Sequence, residues 1–549
     1  MEHLRLDNQR SPAVSLDVDT QHIYHYVYIR GRCSLVELFP VFARRVDGFL
    51  QKLESLLVQQ LLFTDLKSIW ARDKQVIFKE TPLSAPEESE DWVLNVLNRQ
   101  KHVLGKDFTF QGAININRDF QKQWHSMTMK PDDVFYLGHF EDFRGRIYCK
   151  GHILTYQGTD FQKSLIRCEP YDASGAIDWL HMDVARSYGL DKATWGERLQ
   201  WSMEHPELQQ GAKEPFLYKS AHEALQEALK ERDIDHLISL DATASGIQCL
   251  ALMAQDAHSA MGVNLGSDRV NNIYRNVQTE MGGNYEAVKQ ATMTHFYESV
   301  MTPLMLFGED YPKFLIAMQK AMPGPTAIRD AIASCMDCRE QYRWTMMDGY
   351  EVVMDVTTPF ICSMDIGEGH KIEWNEHRKA PVKTKGLTAN VTHSLDALVL
   401  REVLRRTHCE YMWYPEHQLT PFEELREKDI LLLQHVLRWQ RTQFVTVAIL
   451  DFCDALNQHL IPAELQAALD ARTTVWNMYI QPIHDCYRIR AVDAGLLFTI
   501  VKEVMADLAY AKTAQWLLPQ IGYVGKVNDS EPRRRALKEQ VLRSSYLIC

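Results

Sequence analysis

The sequence predicts a helix-rich α/β protein of several subdomains, with acidic residues placed at the ends of short strands. Three observations carry this expectation. At 549 residues the chain exceeds what one hydrophobic core fills, so roughly two to four packed subdomains are expected. From about position 136 onward, short apolar runs alternate with segments of helical periodicity. Two of those runs lead into aspartates: HLISL at 236–240 precedes Asp241, and YIQPI at 479–483 precedes His484 and Asp485.

In chain order, residues 1–135 read as mainly helical. The stretch from Leu35 to Trp70 carries Leu and Phe at three- and four-residue intervals, the pattern of an amphipathic helix packed on a core. TPLSAPEESED at 81–91 is a polar, proline-containing connection. Residues 134–137 (VFYL) form a strand before a turn, and 494–508 form a helix.

Composition excludes little. Hydrophobic content of 46% and charged content of 24% are ordinary for a globular protein. A net charge of -12 excludes a basic protein that coats nucleic acid by charge alone, but not an enzyme with a basic cleft. The eleven cysteines form no disulfide framework, and the zinc-ribbon spacing of Cys335 and Cys338 has no second pair to answer it. The N-terminal residues MEHLRLDNQRSPAV lack a signal-peptide core. No apolar run reaches the length of about 20 residues needed to cross a bilayer. The expectation is a soluble protein of a reducing compartment, without membrane contact.

Asp241 and Asp485 each follow a short apolar strand and precede a turn or helix, so either one alone could be a helix N-cap or a strand terminator. Together they suit another chemistry. Phosphoryl transfer needs cations held where charge develops. Magnesium takes hard oxygen ligands and keeps waters, so two carboxylates and substrate phosphates suffice.

The words around these residues resemble the single-subunit RNA polymerases of bacteriophages and mitochondria. LDATASGIQCL is similar to the family's first catalytic motif, with Asp241 followed by Ser245, Gly246, Ile247 and Gln248. The likeness continues through Val263-Asn264-Leu265 and Ile273-Tyr274. IHDCY, with His484 and Asp485, resembles the last motif. FEDFRGRIY resembles the Asp-x-x-Gly-Arg element (Asp142, Gly145, Arg146, with Arg144 alongside), and Gln157 to Asp160 with Lys163 match the same neighbourhood. THSLDA (His393, Ser394, Asp396) and WTMMDGYEV (Trp344, Asp348, Gly349) look like intervening segments.

The resemblance implies a right-hand fold of palm, fingers and thumb. Residues 1–135 would hold the thumb and 136–265 the first part of the palm. Residues 266–450 would form the fingers, and 451–549 the rest of the palm with the C-terminal segment. It also implies a DNA template, an RNA product, nucleoside triphosphates and two Mg²⁺ ions on Asp241 and Asp485. His393, Tyr274, Phe307 and Lys163 would bind nucleotide, with His393 near the ribose 2′-hydroxyl. Arg144, Gly145 and Arg146 would contact nucleic-acid backbone, where Arg makes bidentate phosphate contacts.

The chain departs from the family in its fingers helix, which should carry an Arg, a Lys four residues later, and a Tyr-Gly pair. In THFYESVMTPLMLFGED, alignment on Phe307-Gly308 places His295 and Ser299 at the basic positions; alignment on Val300-Met301-Thr302 places Met293 and Tyr297 there. Pro303 should interrupt the helix. Lys289, Lys313 and Lys320 are candidate substitutes. Phe307 in place of Tyr predicts looser ribose discrimination, while Met301, Leu304, Met305 and Phe307 otherwise read as core. The short stretch before Asp142 predicts a single-stranded-DNA-binding helper or second subunit for promoter opening. A viral protein in its host's cytoplasm fits best. Arg533 to Arg535 and the apolar tail read either as a solvated charge run or as the family's C-terminal segment, which folds back towards the active site.

Two alternatives stand beside this reading. A DNA polymerase of the related palm family would usually carry Glu where Gln248 and Cys486 stand. A non-catalytic nucleic-acid-binding relative would account for the missing basic pair.

Overall fold

The computed structural model describes residues 2–8, 11–18, 26–30, 83–105, 133–150, 154–367, 370–379, 382–383, 386–409, 411, 413–414, 425–473 and 477–549. Its centre is a three-stranded antiparallel sheet in the order Ile480–Ile483, Cys486–Ile489, Ile238–Asp241. Both faces of this sheet are covered: Ile238, Leu240, Ile480, Tyr487 and Ile489 are buried, and so are the polar residues between them, Ser239, Gln481 and Arg488, with Arg488 Nη1 donating to Gln481 Oε1 at 2.7 Å. The helices Ser245–Met253, Leu387–His408 and Ala494–Tyr510 pack on one another within the same core. Two smaller clusters flank it, one around Leu432 to Leu469 and one around Leu104 to Ile166.

The Leu387–His408 helix is buried along most of its length, polar residues included. Burial of charge demands partners. Arg406 Nε meets Glu402 at 2.8 Å, and its Nη2 meets Asp507 at 2.9 Å. The Glu402 carboxylate accepts from the Thr446 hydroxyl (2.7 Å) and the Val447 N–H (3.0 Å). Arg405 and Arg406 occupy its last turn, where cations suit the negative end of a helix.

Among the described residues, those up to Arg30 depart from the mainly helical expectation. Glu2–Asn8, Ser11–Val18 and Tyr26–Arg30 are strands, joined to Thr357–Gly367 and His370–Lys379 in a five-stranded antiparallel sheet. The reason is local. Leu4 and Leu6, then Val14, Leu16 and Val18, alternate with polar residues, and a period of two belongs to strands. The stretch Leu35 to Trp70 lies outside the described residues. The polar connection is seen from Leu83 onward, and its last residue, Asp91, caps the Trp92–Asn98 helix.

In the expected fingers segment, one long helix is replaced by two. Tyr285–His295 ends before a turn in which Glu298 has φ 64°, and Met301–Phe307 follows. Pro303 lies in the first turn of the second helix, where no backbone N–H is needed, so the interruption comes upstream of it. The core reading of the methionines is corrected here: Met301 is 63% exposed and Met305 80%. Pro303 is buried and Phe307 partly so, which leaves the rest of this two-turn helix facing outward.

Candidate active site

Asp241 closes its strand directly opposite Cys486, and the Ala242 N–H donates to the Asp485 carbonyl at 3.1 Å. Residues remote in sequence therefore end on adjoining strands. His484 and Asp485 form the two-residue turn of the hairpin, with His484 at φ 57°, a left-handed conformation that His tolerates better than β-branched residues. The N-cap of the Ser245–Met253 helix is Ala244, so Asp241 has no capping role. Neither carboxylate makes a hydrogen bond or ion pair among the described residues.

Asp241 is exposed to solvent at its strand end, yet enough protein surrounds its carboxyl for desolvation to act on it. Desolvation first, and the Asp485 charge second, raise its pKa; Lys192, Arg186 and Lys163 oppose them. A raised carboxyl pKa means the folded state binds the proton more tightly. Stability is then lost as pH rises above the ordinary carboxylate value of about 3.9. Without metal, Asp241→Asn should gain thermal stability over the wild type as pH rises, a difference that paired melting curves would show.

A third carboxylate joins them. Asp396 is buried and lines one small cleft with Ala242, Ser245, Asp485 and Tyr487. Burial and then Asp485 push its pKa up to about 6, against the Arg146 guanidinium, whose Nη2 lies 2.8 Å from Asp396 Oδ2.

The Asp142 element is the turn between His139–Glu141 and Ile147–Cys149. Asp142 Oδ1 accepts the N–H groups of Arg144 (2.9 Å) and Arg146 (3.1 Å), and Oδ2 accepts Arg144 Nε (2.9 Å) and Nη2 (2.5 Å). Arg144 Nη1 reaches His393 Nδ1 at 2.9 Å. Gly145 has φ 78°, and a Cβ there would run into the Arg401 guanidinium. Gly145→Ala should therefore cost at least about 1–2 kcal/mol from the left-handed backbone alone, measurable by urea denaturation.

The remaining sequence-predicted residues divide. Tyr274 is buried on the Ile273–Met281 helix, and its hydroxyl pKa is raised by burial, then by Tyr297 and others including Asp485 and Asp241. Lys163, on the Asp160–Leu165 helix, makes no ion pair among the described residues, and its charge acts on Asp241. Phe307 instead packs on Phe314, ring centroids 5.1 Å apart. Tyr297 lies on His393, at 5.0 Å. Lys313 pairs with Asp310 at 2.6 Å and Lys320 with Glu280 at 3.0 Å.

Sequence reasoning quoted Asp396 only as part of an intervening motif and missed Lys192 and Tyr297 as candidate site residues. Asp396 was legible: it stands three residues after His393 on one helix, hence on the same face. Tyr297 was visible only as the residue standing at a missing Lys. Nothing local marks Lys192.

The other motif words hold the site together. Gln157 Nε2 donates to the carbonyls of Ile147 (3.1 Å) and Pro482 (3.0 Å), tying the Asp142 hairpin to the Asp485 hairpin. Trp344 Nε1 donates to Ser394 Oγ at 3.0 Å. Gln248 Nε2 donates to the carbonyls of Val263 and Leu547, both at 3.0 Å, and Cys549 N–H donates to the Asp241 carbonyl at 2.8 Å. The tail therefore folds back onto the Asp241 strand. Arg534 is drawn into the fold by Asp529 and the Tyr510 carbonyl, whereas Arg535 stays exposed with Glu531.

Two unpartnered carboxylates on adjoining strand ends, with the charges of Lys192 and Lys163 acting on Asp241, define a site suited to cations and an anionic substrate. No cluster of three or more His, Cys, Asp or Glu with metal-holding geometry is found among the described residues. An ion here would rest on the hard oxygens of Asp241 and Asp485 and fill its shell with water or substrate oxygen, which is how magnesium is commonly held.

Residues 170–301 match the family described as DNA-dependent RNA polymerase. That stretch contains Lys192, Asp241, Gln248, Tyr274 and Tyr297. The chain is 31% identical over 166 residues to a probable DNA-directed RNA polymerase of Neurospora crassa, covering 28% of this chain and 18% of that one. It is 32% identical over 163 residues to one of Agaricus bitorquis, covering 26% and 15%. To the mitochondrial DNA-directed RNA polymerase 1 of Arabidopsis thaliana it is 31% identical over 161 residues, covering 25% and 16%. The resemblance to single-subunit RNA polymerases thus extends from motifs to a family match and to relatives, although each match spans less than a fifth of the relative's length.

Proposed function

We propose that the chain is a DNA-directed RNA polymerase that joins ribonucleoside triphosphates on a DNA template by two-metal phosphoryl transfer. The observation that carries this reading is the pair Asp241 and Asp485, unpartnered on adjoining strand ends among the described residues, with Asp241 inside the stretch that matches the family. Magnesium on these carboxylates would supply the charge that activates the attacking hydroxyl and stabilises the leaving pyrophosphate. The chain's own residues do the rest. Lys163 and Lys192, whose charges act on Asp241, neutralise the triphosphate tail in place of the absent fingers Arg and Lys. His393 and Tyr297 face the sugar, with Tyr274 behind them. The Asp142 turn, with Arg144, Gly145 and Arg146, lies on the nucleic-acid side and fixes His393 and Asp396. The three-stranded sheet is the palm, with the fingers in 266–450 and the thumb in 1–135.

Looser ribose discrimination rested on Phe307 at the sugar. With Phe307 against Phe314 and Tyr297 on His393, the corner has a tyrosine hydroxyl, and we do not propose it. Viral transcription with a helper that opens DNA belongs to the proposal on sequence grounds alone, since the relatives include mitochondrial enzymes. No described helix is long and apolar enough to cross a membrane.

The test is RNA synthesis by the purified chain on a primed RNA–DNA scaffold with Mg²⁺ and four ribonucleotides. Templated extension is expected, and Lys192→Ala should lower kcat/KM about 10- to 100-fold, the worth of a charged hydrogen bond. Extension with deoxynucleotides only would favour the DNA polymerase alternative. No extension with either set would favour a non-catalytic nucleic-acid-binding relative.

A further inference from the structure

His393 has two ring nitrogens, and the protein uses one of them. Nδ1 lies 2.9 Å from Arg144 Nη1. A guanidinium has donors only and keeps its protons in proteins, so Nδ1 must be the acceptor and carry a lone pair. The ring's proton then sits on Nε2, which makes no hydrogen bond among the described residues. Arg144 cannot swing away cheaply, because Asp142 grips its Nε and Nη2 while the other Asp142 oxygen is held by two backbone N–H groups. Asn390 Oδ1 lies 3.5 Å from the same Nη1. A second proton on the ring would point an N–H at a guanidinium N–H. The surroundings agree: burial first, then Arg146, Arg144 and His484, push the His393 pKa down to about 3.

We propose that Asp142 and Arg144 form a positioning relay that locks His393 as a neutral donor protonated on Nε2, so that the site reads an acceptor oxygen, the 2′-hydroxyl of the incoming ribose. The sugar assignment rests on the polymerase reading; the tautomer lock does not. A donor in a half-buried corner distinguishes the two sugars because a deoxyribose leaves the Nε2–H without a partner. Arg144 acts through His393 and is a positioning residue, so its test needs a readout that a purely structural role would not move.

That readout is the proton's location. Two-bond ¹H–¹⁵N spectra of the full-length chain labelled with ¹⁵N-histidine, near neutral pH, report it, and the His393 signal is assigned by its loss in His393→Gln. The expected result is a neutral His393 protonated on Nε2 in the wild type and in Arg144→Lys, which keeps a donor. Arg144→Glu puts an acceptor opposite Nδ1 and should move the proton there. The preference for ribonucleotides over deoxynucleotides should then fall roughly tenfold, the worth of one hydrogen bond. If Arg144→Glu disturbs the other histidine signals and so the fold, Arg144→Met decides, since removing the donor should leave a mixture of tautomers. A wild-type His393 protonated on Nδ1 or on both nitrogens would overturn the proposal, as would an Nε2–H retained in both Arg144→Glu and Arg144→Met. The expected tautomers in a chain that extends no primer would uphold the lock and overturn the polymerase reading instead.

Discussion

Asp485→Asn should lower ribonucleotide incorporation on the order of 10³-fold or more, comparable to or beyond the loss of one electrostatic contact to a developing charge. The same change should leave the metal-free protein at least as stable. Asp485 makes no hydrogen bond or ion pair among the described residues, and after burial its charge is the second cause raising the pKa values of both Asp241 and Asp396. Asparagine keeps the side chain's shape and removes that repulsion. A structural aspartate behaves in the opposite way, losing stability and activity together. Primer-extension rates and melting curves on one preparation separate the two, and a large drop in melting temperature with partial activity would count against a metal-binding role.

Asp348→Ala should be the most destabilising single change, at about 3–5 kcal/mol, the usual result of leaving a buried charge unpaired. Asp348 and Arg401 are both 1% exposed at the side chain and 2.8 Å apart, with Arg405 at 3.6 Å. Burial pushes the Asp348 pKa up, but Arg401 and its other partners more than offset this, and the net shift is downward. A depressed carboxyl pKa contributes stability that is present above the ordinary carboxylate value and lost as pH falls through the depressed one. The gap between wild type and Asp348→Ala, read from urea midpoints, should therefore narrow in acid. The effect should also reach the site. Arg401 donates to the Gly145 carbonyl (3.1 Å), and the Tyr350 hydroxyl donates to the Asp142 carbonyl (2.8 Å). Both contacts brace the turn that carries Arg144 and Arg146.

These residues also show what was legible beforehand. The strands leading to Asp241 and Asp485 could be read because each is a short, mostly apolar segment ending at an acidic residue, although Ser239 and Gln481 interrupt the runs. Their meeting could not, since antiparallel pairing between remote segments is decided by tertiary packing. The motif words marked residues of two kinds that look alike in sequence: Asp241 and the Nε2 of His393 have no partner among the described residues, whereas Gln157, Gln248 and Trp344 hold segments together by hydrogen bonds. Phe307 was placed by its spacing from other residues, but the backbone turn at Glu298 breaks the helix on which that spacing depends. Tyr297 consequently reaches the corner expected for Phe307. The period-two alternation around Leu4 and Val14 was present in the sequence and was outweighed by the helical pattern downstream of it. Lys192 carries no local signal at all, because only the fold brings it near Asp241.

The most direct test of the Asp241–Asp485 pair as the metal site is Mn²⁺ binding, with Mn²⁺ as a spectroscopic stand-in for Mg²⁺. It would be followed by electron paramagnetic resonance with a ribonucleoside triphosphate and primed template present. Tight binding is expected in the wild type, and it should be lost in both Asp241→Asn and Asp485→Asn. Undiminished Mn²⁺ binding in either aspartate variant, with the fold intact, would contradict the assignment of these two carboxylates as the metal-holding pair.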